Sequence, residues 1–90
     1  MRQLEVIHLR SSGQSAETLS EQIRRSIRAA ETGTRVVTVY RRKGLETDVA
    51  IHISHPEEVG ADMRSSLGLR LASELKAYGL VEHTLWEELT

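Results

Sequence analysis

"LETDVAIHISH", residues 45–55, alternates apolar and polar side chains through its middle. Val49, Ile51 and Ile53 share one parity; Asp48, Ala50, His52 and Ser54 share the other. Period two is the mark of a strand with one buried face, because successive side chains point to opposite sides of a pleated backbone. The spacing predicts a strand over residues 46–54 with the three branched residues toward the core. His52 then faces the other way. His52 and His55 are three apart, so on one strand they point to opposite faces. Pro56 ends the run, and "EEVGADM" after it reads as a surface connection.

Upstream, "RVVTVYR" at 35–41 is β-branched and aromatic, which predicts a second strand. "RKG" at 42–44 joins the two as a turn, with a glycine free to take a positive φ. Further back, "QLEVIHLR" at 3–10 is a strand bounded by "SSGQS". Leu4 and Val6 lie opposite Ile7 and Leu9 on it. Between these strands Ala16, Leu19, Ile23, Ile27 and Ala30 recur every three or four residues, one apolar stripe on a helix. Ser15 is its expected N-cap, Glu17 suits the positive end of its dipole, and Gly33 is its expected C-terminal cap. Arg24, Arg25 and Arg28 fall off the stripe.

Downstream, Leu67, Leu71, Leu75 and Tyr78 mark a second helix, capped by Ser65 or Ser66 and stopped at Gly79. "LVEHTLWEEL", residues 80–89, is expected as a fourth strand, with a short helix over "LWEEL" as the alternative. The order is βαββαβ, the α+β ferredoxin-like arrangement, with a four-stranded antiparallel sheet. Right-handed crossovers put both helices on one face of that sheet and leave the other bare. Residues 1–90 make a single domain. A chain of this size buries roughly 60–65% of its unfolded surface, an adequate core without surplus.

The bare face is where function is sought. Ala50 and His52 point to it. The second strand offers it either Val37 and Val39 or Val36, Thr38 and Tyr40, and Trp86 shares a face with Thr84 and Glu82. So much apolar surface calls for a second layer, most simply the same face of a second copy in a homodimer.

The segments "YRRKGLETDVAIHISH" and "SSLGLRLASELKAYGLVEHTLW" resemble a group of small uncharacterised bacterial proteins similar to the dimeric α+β barrel superfamily. That superfamily includes antibiotic-biosynthesis-type monooxygenases and stress-responsive barrel proteins. The likeness of arrangement spans the chain, whereas the motif likeness is confined to those two segments. It implies two ferredoxin-like protomers packed sheet to sheet, with a cavity between sheet and helices. It implies no particular activity. Haem-degrading members rely on an Asn with a His and a Trp, and this chain has no Asn.

Composition narrows the chemistry. Twelve basic against thirteen acidic residues give a net charge of -1, which predicts no strong field for nucleic acid or an anionic membrane. "YRRKG" is basic, but the two central strands lack the aromatic residues on which ferredoxin-like RNA-binding domains stack bases, so it reads as a solvated hairpin tip. No secretory core or membrane span is legible, and with no cysteine a reducing, cytoplasmic setting is expected. Thiolate metal sites and copper-carrier roles go with the cysteines. His8, His52 and His83 sit on three neighbouring strands and meet only if all three face one way, which parity does not decide. No metal site and no cofactor is therefore expected.

Glu46 and Asp48, two apart near Arg41 and Arg42, suit cross-strand ion pairs more than acid–base chemistry. The six glycines fit neither G-x-G-x-x-G nor a P-loop, and neither H-E-x-x-H nor G-x-S-x-G occurs. No catalytic set is specified. His52, Trp86 and Tyr40 are the candidate ligand-binding residues, walls of an apolar cavity between two sheets. Two functions compete: a homodimer that binds a small apolar ligand or serves a structural or regulatory role, and a cofactor-independent monooxygenase or isomerase working in that cavity. Whether the protein is an enzyme is left open by the sequence.

Overall fold

The computed structural model describes residues 3–13, 15–29, 35–45, 47–55 and 65–90. Its elements run β1 (Gln3–Ser11), α1 (Ala16–Ala29), β2 (Val36–Arg41), β3 (Asp48–His55), α2 (Ser66–Leu75) and β4 (Gly79–Glu87). The strands form one sheet in the order β2-β3-β1-β4. Every neighbouring pair is antiparallel, as the ferredoxin-like order requires.

The alternation on β3 sets the core. Val49, Ile51 and Ile53 are buried, joined by Ile7 and Leu9 of β1, Leu19 and Ile23 of α1, and Leu67, Leu71, Ala72 and Leu75 of α2. Both helices therefore cover the same sheet face. Val37 and Val39 extend this layer from β2, which settles the open parity of that strand.

Local signals explain the ends. The Ser15 hydroxyl accepts from the Thr18 amide at 3.2 Å and caps α1. The Ser65 hydroxyl does the same for α2, accepting from the Gly68 amide at 2.9 Å. Gly44 turns the β2–β3 hairpin with φ of +84°, a conformation that side chains disfavour. Ala30, Gly33, Glu46, Pro56 and the connection through residue 63 lie outside the described residues.

The end of α2 differs from the sequence reading. The helix stops at Leu75, and the Tyr78 amide donates to the Leu75 carbonyl at 2.9 Å in a tightened last turn. Gly79 is the first residue of β4, opposite Ser11, and not a left-handed cap. It is glycine for want of space, since a methyl group there would overlap the Arg10 carbonyl oxygen and crowd the Ser11 Cα.

Candidate functional site

The bare face is a grid fixed by the strand register. Its rows run Trp86, Leu4, Ser54, Val36, then Thr84, Val6, His52, Thr38, then Glu82, His8, Ala50, Tyr40, with Leu80, Arg10 and Asp48 at the far end. Val36 (61%), Tyr40 (50%), Leu80 (74%) and Trp86 (58%) are largely exposed on it. Leu4, Val6 and Ala50 are half-buried between them. Large apolar groups left in water on one continuous face mark a surface made for contact.

The three sequence candidates are all on this face, but the protomer joins only two of them. Tyr40 and His52 pack ring against ring, centroids 4.7 Å apart with the planes tilted by 58°. Trp86 stands on the opposite edge strand, where its indole N–H donates to Thr84 Oγ1 at 2.9 Å. A shallow groove of about 310 Å³ lies beside Tyr40, lined by Val6, His8, Ala50 and Asp48 among others. A second groove, also about 310 Å³, opens between α1 and α2 beside Ile23, Leu71 and Leu75. The Ser26 hydroxyl donates to Glu74 there at 2.6 Å.

Two carboxylate–histidine clusters flank the sheet, one on each side. The first was not anticipated. Glu5 is fully buried under α2, where Oε1 accepts from His55 Nε2 at 2.6 Å and from the Ser65 amide at 2.9 Å. Its Oε2 accepts from His83 Nε2 at 2.8 Å. An ionised carboxylate can only accept, so both Nε2 atoms carry hydrogen. Burial alone would raise the Glu5 pKa; donors from the Ser65 hydroxyl and amide, His55 and His83 outweigh it and hold the carboxyl below its usual value. Gly68 makes the cluster possible: a side chain there would run into the Glu5 carboxylate and crowd the His83 ring. The His55 Nδ1 is buried with no hydrogen-bond partner among the described residues.

The second cluster is on the bare face. Asp48 is buried, and its Oδ2 accepts from His8 Nε2 at 3.1 Å and from Arg42 Nη1 at 3.3 Å. Burial opposes its charge, but the His8 and Arg42 hydrogen bonds prevail and lower its pKa, helped by the nearby charge of Arg10. The sequence pointed to the Arg42 pair and missed His8. Arg41, the other arginine considered, has the opposite parity on β2 and points toward the helix side.

The histidines therefore do not converge. His8 and His52 face the bare side, whereas His55 and His83 face the helices. Among the described residues no group of three or more His, Cys, Asp or Glu is arranged to hold a metal ion. No helix of the described residues is long and apolar enough to cross a membrane. In comparisons with known proteins, no family model, no curated protein and no solved structure matched the chain.

Proposed function

We propose that this protein works as a homodimer through its bare sheet face and binds a small apolar molecule between the two sheets, in the manner of a dimeric α+β barrel. The observation that carries the reading is the exposure of Val36, Tyr40, Leu80 and Trp86 on one face that neither helix covers. A second copy is the occupant that matches its extent. Four strands about 4.8 Å apart and roughly seven residues long at ~3.3 Å each give a flat face of about 400–450 Å². Side-chain relief enlarges that, so two such faces together reach on the order of 1,200 Å², the lower range of specific dimers.

A two-fold axis parallel to the strands sets β4 of one copy over β2 of the other. Trp86 then comes to the side of the sheet that carries Tyr40 and His52 in the second copy. The three candidates form one site only across two chains. His52, Tyr40 and Trp86 supply an apolar enclosure with a few polar tips, the usual make-up of a small-molecule site. With no cysteine to protect or oxidise, we place the protein in the cytoplasm.

The test has two parts. Sedimentation velocity at micromolar concentration is expected to give a dimer, and Val6→Asp, which puts a charge in the centre of the face, a monomer. A thermal-shift screen of small apolar compounds on wild type and His52→Ala is expected to give hits whose shifts shrink in the variant. A wild-type monomer contradicts the assembly, and equal shifts for every hit make His52 a structural residue.

A further inference from the structure

We propose that His8 is a general base and that Asp48 is its positioning residue, forming a proton-transfer site at the bare-face groove. This inference rests on the ligand-binding reading above and gives that ligand a chemistry. The geometry has the parts such a base needs. Asp48 sits behind the imidazole and accepts from Nε2 at 3.1 Å, so its ionised Oδ2 fixes the tautomer with hydrogen on Nε2. The other ring nitrogen, Nδ1, then has its lone pair free. His8 is 36% exposed and forms part of the groove wall with Val6, Tyr40 and Ala50, whereas Asp48 is 1% exposed. The carboxylate is thus withdrawn from solvent and the base presented to it.

The charges around the imidazole are arranged for the same task. Arg42 holds the carboxylate from the hairpin side at 3.3 Å and also borders the groove. Arg10 is the next residue on the same face of β1, cross-strand from Asp48, and Glu82 is the cross-strand neighbour of His8 on β4. Tyr40 supplies a phenol to the groove wall. A buried Asp48 Oδ1 has no partner among the described residues, so the carboxylate is not saturated by structural bonds.

The substrate class follows from these surroundings: a small apolar carbonyl compound with an acidic C–H next to the carbonyl. His8 Nδ1 takes that proton, the C–H electron pair becomes the enolate, and the anion lies beside Arg42. Return of the proton to a different atom completes an isomerisation. No oxidant, reductant or co-reactant enters, and every atom is retained.

The probe is 5-nitrobenzisoxazole, an apolar ring whose single acidic C–H is removed by a base as its N–O bond breaks to give a coloured phenolate. The wild-type protein is expected to open it at least about 100-fold faster than free imidazole at equal concentration and pH, in the range a positioned base provides. His8→Gln abolishes that rate. Asp48→Asn lowers it at least about tenfold and, with the fold retained by circular dichroism, moves neutral His8 toward the Nδ1–H tautomer in its ¹⁵N spectrum. A rate unchanged in His8→Gln overturns the proposal. So does a wild-type ¹⁵N spectrum with neutral His8 in the Nδ1–H form, a measurement that needs no variant to fold. The two readings separate cleanly: a dimer whose rate ignores His8 sinks this inference alone, and a monomer with a His8-dependent rate sinks the assembly and its site between two sheets while leaving His8 as the base.

Discussion

Glu5 is the residue on which most of the polar interior depends, and it was legible only in part. The parity that sets Ile7 and Leu9 against Leu4 and Val6 also places Glu5 on the core side of β1. Its charge argues the other way, since glutamate is almost never fully buried without partners. Its partners are distant in sequence: His55 is 50 residues away and His83 is 78. No local pattern announces such a meeting. Asp48 repeats the lesson, because Arg42 six residues away was read and His8 forty away was not. By contrast, His52 was placed correctly, because strict alternation from three neighbouring branched residues needs no distant information.

Glu5 should also govern acid stability. Its folded pKa lies below the ordinary 4.5, so the unfolded chain binds the proton more readily. The resulting stabilisation is fully present above about pH 4.5 and is lost as pH falls through the lower folded value. Glu5→Gln offers one acceptor oxygen where the carboxylate offers two, and sets an amide N–H₂ against an imidazole N–H. We expect it to cost about 1–3 kcal/mol at neutral pH, the usual penalty for an unsatisfied buried group. Its loss of stability between pH 5 and 3 should be shallower than that of the wild type. Urea unfolding at a series of pH values measures both, and parallel pH profiles would mean that Glu5 does not supply the acid limb.

Among the elements, β3 and the two caps were read from sequence because their signals are local: period two, a serine before each apolar stripe, a glycine at the hairpin turn. The end of α2 was misread for an instructive reason. Gly79 looks like a left-handed cap, but the constraint on it comes from the Arg10 carbonyl of β1, which touches it only in the folded sheet. The first turn of α2 has the same character. It lies so close over β1 that Gly68 leaves no room for a methyl group beside the Glu5 carboxylate. His55, His83 and both the amide and the hydroxyl of Ser65 hold that carboxylate, so it has little freedom to yield. Gly68→Ala should therefore destabilise by about 1–3 kcal/mol through overpacking, although alanine is the better helix former by roughly 0.8–1 kcal/mol. Thermal unfolding decides the sign, and a stabilised variant would mean that α2 can lift from the sheet without loss.

At the scale of the whole molecule, the described residues leave one face of the sheet without a covering layer, and no third helix among them supplies one. A helix-backed sheet of this kind was readable from the order of elements alone. The occupant of the bare face was not, since exposed apolar groups state that a contact is needed without stating with what. The chain's single tryptophan stands on that face, 58% exposed in the protomer. Its fluorescence therefore reports on the central claim directly. If two copies pack sheet to sheet, the wild type at micromolar concentration shows the blue-shifted emission of a shielded indole, moving to the red on dilution and in Val6→Asp. Emission of a water-exposed indole at every concentration, unchanged by Val6→Asp, would contradict the dimer.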